Sequence, residues 1–198
     1  MREGEPMFYK QMKPALLVFV TLTVITGVLY PLLITAIAQI AFAHQANGSI
    51  MLRNGIPVGS SLIGQEFSDP KYFWGRLSAT SPTGYSPLPS SGSNLGPLNP
   101  ALRERAEARL KMGQGADPEN KSPIPVDLVT SSASGLDPHI SVAGALYQVP
   151  RVARVRGVSQ EQVIRLVKEN TTGRLAGVFG EPVVNVLQLN LALDQRAP

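Results

Sequence analysis

The segment Val129–Ser141 reads VTSSASGLDPHIS and packs Asp137, His139 and Ser141, an acid, a base and a nucleophile by residue type, into five residues. A Ser-His-Asp hydrolase needs the base within hydrogen-bond reach of the serine and the acid orienting the base from the far side of the imidazole. Known triads gather distant residues, so this short spacing argues against one, and no G-x-S-x-G elbow accompanies it. Ser141 is more economically the N-cap of the helix that follows, with Asp137-Pro138 starting the turn ahead of it. No catalytic residue is expected. A membrane-anchored periplasmic hydrolase using Asp137, His139 and Ser141 is the alternative.

Other chemistries find little support. The chain has no cysteine and only two histidines, His44 and His139, so neither a disulfide, a thiolate site nor a His cluster for a metal is available. Gly113-Gln114-Gly115 lacks the Gly-Lys-Ser/Thr ending of a phosphate loop and follows a helix, which makes it a C-cap and turn. Neither the Asp-Lys-Thr-Gly context of a P-type pump nor a Thr-Val-Gly-Tyr-Gly filter is present, so the chain neither hydrolyses ATP nor forms a pore by itself. The pI is about 9.6, but only 16% of residues are charged and the basic ones are scattered, which speaks against nucleic acid. Arg151, Arg154 and Arg156, the nearest thing to a patch, read as a solvated face or helix C-terminus.

The elements explain more. Ala15–Phe42 contains no Asp, Glu, Lys or Arg over 28 residues, enough helix to cross a bilayer and too long for the apolar part of a signal peptide, despite the small-x-small look of Ala41-Phe42-Ala43. Arg2, Lys10 and Lys13 precede it, whereas only Arg53 appears in the twenty residues beyond. This asymmetry predicts a cytoplasmic flank at 1–14, a span at 15–43, a linker at 44–60 and an extracytoplasmic domain at 61–198, periplasmic in a bacterium. Thr23, Gly27, Pro31 and Thr35 recur at i, i+4, a small, weakly polar stripe against which another membrane helix can pack. Pro31 should kink the span.

Beyond the span, the pattern is mixed α/β. Strands are expected at 61–65, 124–131 and 183–193, the last from alternation of Leu187, Leu189, Leu191 and Leu193 with Gln188, Asn190 and Ala192. Helices are expected from Asn99-Pro100 to Gly113, from Ser141 to Gly157 with an interruption at Pro150, and from a Ser159/Gln162 capping box. Residues 80–100, rich in proline and serine, form a long loop that needs solvent or a partner surface. A lone membrane helix with an outer domain lacking catalytic machinery describes an accessory subunit.

Six stretches carry a resemblance: GSSLIGQEF (59–67), YFWGRLSAT (72–80), SGSNLGPLNP (91–100), PVDLVTSSASGLDPHIS (125–141), YQVPRVARVRG (147–157) and GEPVVNVLQLNLALD (180–194). In this order they resemble the C subunit of the bacterial Kdp-type potassium-transporting P-type ATPase. The motif residues that carry over are Gly64, Gln65, Phe67, Tyr72, Phe73, Arg76, Ser93, Asn94, Gly96, Asp137, His139, Asn185 and Asn190. Leu77 and Val142 stand where the family usually has proline, a departure that touches local turn geometry only. The resemblance implies a channel-like A subunit that binds potassium, an ATP-hydrolysing B subunit and a small F subunit as partners. It also implies a role in assembly or in raising the ATP affinity of the B subunit, with Glu181 in GEPVVN suggested as a nucleotide contact. No cofactor is then bound tightly, and ATP is met through the partner subunit. The charge asymmetry conflicts with the nucleotide role, because a domain outside the membrane cannot touch cytoplasmic ATP.

Overall fold

The computed structural model describes residues 7–196, so Arg2 of the cationic flank lies outside the described residues. The chain divides between Ser49 and Ile50 into two compact units.

The first unit is one continuous apolar helix with a short tail. Helix α1 (Met7–Val24) passes through a π-helical turn at Ile25–Leu29 into α2 (Tyr30–Ala41). The wide turn sits where proline chemistry predicts trouble: Pro31 has no N–H for the Gly27 carbonyl, and Tyr30 N–H reaches back to Ile25 O instead. Residues Lys10–Ala41 form a helix of 32 residues whose most apolar 18-residue window has a mean hydropathy of 2.3, long and apolar enough to cross a membrane. The backbone leaves helical geometry at Phe42 and makes one further turn, α3 (Ala43–Ala46). Asn47 Nδ2 then folds back onto Gln39 Oε1 at 3.1 Å and Ala43 O at 2.7 Å.

The second unit opens with an antiparallel hairpin, β1 (Ile50–Arg53) and β2 (Ile56–Ser60). Asn54 and Gly55 both have positive φ, 52° and 78°, as a two-residue hairpin turn with right-handed strand twist requires. Residues 44–60 are therefore folded rather than a plain linker, and the strand expected at 61–65 lies at 56–60. After a long irregular run come α4 (Pro100–Ala116), β3 (His139–Ser141), α5 (Val142–Arg156), α6 (Gln160–Glu169), β4 (Thr171–Thr172), β5 (Val183–Asn185) and α7 (Val186–Arg196). The short strands pair antiparallel in the order β3-β5-β4. Ala145, Val149 and Val152 of α5, Val163 and Val167 of α6, and Leu189 and Leu193 of α7 bury against Ile140, Val184 and Phe73.

Caps fall where the residue types put them. Asn99 accepts from Ala101 N–H, Ser141 from Gly144 N–H, Ser159 and Gln162 close a reciprocal box, and Gly157 ends α5 at φ 66°. Four expectations fail. Helix α4 runs past Gly113 to Ala116, because Arg154 holds the true end through Asp117 Oδ1 at 2.7 Å and Ala116 O at 3.2 Å. Gly113-Gln114-Gly115 is thus helix interior, not a C-cap. Helix α5 continues through Pro150, whose missing N–H orphans the carbonyl of Leu146, a residue 42% exposed and able to meet solvent.

The expected strand at 124–131 is a 3-10 turn at Val126–Leu128 followed by an isolated bridge of Ser131 to Leu77. Pro125 cannot donate to a ladder, and Asp127 is committed to Ser141 N–H at 2.7 Å. The expected strand at 183–193 stops after Asn185 and becomes α7. Val186, Leu189, Asn190 and Leu193 are buried at helical spacing, so Asn190 faces inward although its type reads as solvent-facing.

Candidate functional site

The motif residues converge on one extended segment, Tyr72-Phe73-Trp74-Gly75-Arg76, that has no strand neighbour. Backbone polar groups in a buried segment need partners, and here side chains supply them. Asn190 of α7 accepts from Phe73 N–H at 2.9 Å and donates to Phe73 O at 3.0 Å. Gln148 of α5 accepts from Trp74 N–H at 2.8 Å and donates to Trp74 O at 3.1 Å. Two amide side chains thus take the place of a neighbouring strand.

Arginines close the surround. Arg151 donates to Tyr72 O at 3.0 Å, to Pro70 O and to Gln148 Oε1 at 2.7 Å, and its guanidinium lies 4.2 Å from the Trp74 ring centroid. Burial lowers its pKa to about 10. Arg109 of α4 reaches Gly75 O at 2.8 Å and Leu128 O at 3.2 Å, with its guanidinium 5.1 Å from the Trp74 ring centroid. Arg156 donates to Lys71 O at 2.9 Å and to Asp194 Oδ1 at 2.7 Å. Asp194 Oδ2 accepts in turn from Tyr72 Oη and Arg53, both at 3.1 Å. Burial works to raise the Asp194 pKa, but the bonds from Arg156, Tyr72 and Arg53 outweigh it and hold the carboxyl below its usual range. Of the cluster at 151, 154 and 156, Arg154 and Arg156 fall in the last turn of α5, as expected of a helix C-terminus, and the Arg154 side chain is 43% exposed, whereas Arg151 at 3% and the Arg156 side chain at 7% are not a solvated face.

Arg76 begins the second half of the network. It donates to Asp137 Oδ2 and to Ser131 O, each at 3.1 Å. Asp137 Oδ1 accepts from His139 N–H at 3.0 Å and lies 3.4 Å from His139 Nδ1. Burial opposes ionisation of Asp137, yet the bonds from His139 and Arg76 lower its pKa overall. His139 lies in β3, opposite Asn185. Ser141 Oγ is engaged as a cap, accepting from Gly144 N–H at 2.8 Å, and no hydrogen bond among the described residues joins it to His139. Asp137 and His139 are brought together; Ser141 is not brought into a relay with them.

Tyr85 locks this half against the proline-rich loop. Its hydroxyl donates to Arg76 O at 2.6 Å, and burial pushes its pKa up to about 12. A Cβ on Gly64 would stand 2.3 Å from the Tyr85 ring, so only glycine admits that contact. Ser78, Thr80 and Ser90 fasten the loop through Gly135 O, Thr83 O and Ser134 O.

The remaining motif residues are dispersed. Gln65 donates to Val58 O at 2.7 Å, Asn185 to Ser61 O at 2.8 Å, and Phe67 packs on Tyr72 at 5.4 Å between centroids. Ser93, Asn94 and Gly96 lie on the irregular loop, where Asn94 has φ 50°. The Glu181 side chain is 76% exposed and paired with Arg174 at 2.9 Å. Thr23, Gly27, Pro31 and Thr35 all lie on exposed helix surface. A π turn uses more residues per revolution than 3.6, so the four-residue spacing from Thr23 to Pro31 keeps closer register than in a regular helix. No group of three or more His, Cys, Asp or Glu that could hold a metal occurs among the described residues. Arg109, Gln148, Arg151 and Asp194 were not singled out as network members from sequence; the spacing of Gln148 and Arg151 within a buried helix was the available signal.

A family model described as "KdpC: K+-transporting ATPase, c chain" matches residues 12–195. The chain belongs to this family. A potassium-transporting ATPase KdpC subunit of Ralstonia nicotianae is 63% identical over 182 residues, covering 92% of this chain and 89% of the relative. Its counterparts in Sorangium cellulosum and Herpetosiphon aurantiacus are 61% and 60% identical over 183 residues, covering 96% and 95% of those proteins and 92% of this chain. The match runs across both units of the chain. The segment 72–76 accordingly sits in a subunit family, with its backbone held by Gln148, Arg151 and Asn190 and with Arg76 bonded to Asp137 and Ser131 O, its Nε alone buried without a partner among the described residues.

Proposed function

We propose that this chain is the non-catalytic C subunit of a potassium-transporting ATPase, held in the membrane by its apolar helix and required for assembly and stability of the complex. Family membership over residues 12–195 carries the reading. The internal partners met by Asp137, Gln148, Arg151 and Asn190 support a scaffold over a reaction centre. On this reading the partners are the channel-like A subunit, the ATP-hydrolysing B subunit and the small F subunit. The Thr23–Thr35 stripe serves helix packing, and the unit from Ile50 onward is extracytoplasmic, over the entrance of the potassium path. Lys10 and Lys13 before the span, against Arg53 alone soon after it, support that orientation. An effect on ATP affinity would then have to pass through the membrane partners, with Glu181 never meeting nucleotide.

Co-purification in mild detergent tests the assembly role: the chain should bring down large membrane partners, and recovery of the chain alone would overturn it. For the orientation, an Asn94→Cys variant of this cysteine-free chain should react with a membrane-impermeant thiol reagent in spheroplasts. Labelling only after the inner membrane is opened would overturn the extracytoplasmic reading.

A further inference from the structure

The β1–β2 hairpin exposes apolar side chains that its own fold does not use: Ile50 is 44% exposed, Leu52 64% and Ile56 66%. A hairpin built this way in open water is unusual. Its place in the chain says what covers it. Asn47 Nδ2 is bonded to Gln39 Oε1, so the chain leaving the span is tied back to the last turn of the apolar helix. Ile50 follows Asn47 by three residues, which puts it within about 11 Å of that point on any path the backbone takes. The polar headgroup zone is itself about 5–7 Å deep on each side. From Ala43 to Gln65 the only charged side chain is Arg53, and Asp194 neutralises it at 3.1 Å. No carboxylate in that stretch would resist an anionic lipid surface or the loss of water there.

We propose that the β1–β2 hairpin is a membrane-contact element that seats Ile50, Leu52 and Ile56 in the headgroup and upper acyl region of the bilayer crossed by the apolar helix. This rests on reading that helix as a span and holds for either orientation. The hairpin takes part in positioning the second unit, because Arg53 links it through Asp194 to Arg156 and Tyr72. Lipid contact and this ion network give the hairpin two attachments.

The absence of cysteine makes the test direct. A Leu52→Cys full-length chain carrying an NBD fluorophore would be placed in vesicles of phosphatidylethanolamine and phosphatidylglycerol with phosphatidylcholine spin-labelled near the top of the acyl chain. Ile56→Cys serves as an independent site, Arg103→Cys on exposed α4 as the aqueous control, and Leu33→Cys as the control for the span. Lipid quenching at 52 and 56 several times that at 103, persisting in the assembled complex, is expected. Iodide quenching at 52 and 56 without lipid quenching overturns the proposal, as does shielding from both quenchers in the complex, which assigns the hairpin to a protein partner. Loss of lipid quenching at 33 as well shows that the span reading has failed, not the hairpin alone.

Discussion

Gln148 and Trp74 exchange two hydrogen bonds, backbone to amide at 2.8 Å and amide to backbone at 3.1 Å, the pattern a neighbouring strand would make. Gln148 is 4% exposed and also receives Arg151 at 2.7 Å, so its loss strands both backbone groups of Trp74 and one guanidinium nitrogen. Gln148→Leu keeps the volume and removes the partners. Leaving such groups buried without bonds costs about 1–3 kcal/mol each, which predicts a loss of about 2–5 kcal/mol after partial relaxation. Trp74 is the single tryptophan, so its own fluorescence follows the unfolding.

That exchange also shows where sequence reading reached its limit. Local chemistry was legible: the caps at Asn99, Ser141 and Ser159 and the stop at Gly157 each depend on one or two neighbouring residues. Long-range satisfaction was not. Asn190 reads as the polar half of an alternating strand, whereas it bonds Phe73 across 117 residues and turns with a helix. Arg151, Arg154 and Arg156 read as a solvated face or helix C-terminus, and Arg154 and Arg156 do end α5, yet carbonyls at 70, 71, 72 and 116 and carboxylates at 117 and 194 also meet the three. Nothing local encodes those partners. The motif residues carried by the resemblance did point to the network, through Tyr72, Phe73, Arg76, Asp137 and Asn190.

Gly64 and Tyr85 are predicted to be coupled. A methyl group on Gly64 would meet Tyr85 Cε1 at 2.3 Å and Asp137 O at 2.9 Å, too close for either to stay. Gly64→Ala should cost about 1–3 kcal/mol as an overpacked contact. Tyr85→Ala destabilises on its own by removing a buried ring and the bond to Arg76 O. In the double variant the ring collision is absent, so the combined loss should fall below the sum of the singles by at least about 0.5 kcal/mol. Strict additivity in denaturant unfolding would contradict the contact.

Asp194 gives a pH dependence of known sign. Its folded-state pKa lies below the unfolded one, so its contribution to stability is complete above about pH 4, the ordinary aspartate value, and is lost as pH falls through the lower folded value. Asp137 shifts in the same direction and adds to the same window. Thermal midpoints of the full chain in detergent should be level from neutral pH to about 5 and fall below 4. Asp194→Asn should lower the midpoint near neutrality and make the acid decline shallower. An unchanged slope would show that Arg53, Arg156 and Tyr72 do not stabilise its charge.

Ser141 separates a scaffold from a hydrolase. Its hydroxyl caps α5 by accepting from Gly144 N–H, while its backbone N–H is held independently by Asp127. Ser141→Ala therefore removes one cap and leaves the β3–α5 junction otherwise tied. The expected cost is about 1 kcal/mol, seen as a small drop in unfolding midpoint, with growth under potassium limitation supported as by the unaltered chain. A nucleophile would behave differently, because its removal costs orders of magnitude in turnover with little change in stability. Loss of growth at an unchanged midpoint, together with esterase or peptidase turnover by the unaltered protein, would restore Asp137, His139 and Ser141 as a reaction centre. Asp137 already spends its carboxylate on Arg76 as well as on His139, which favours the cap.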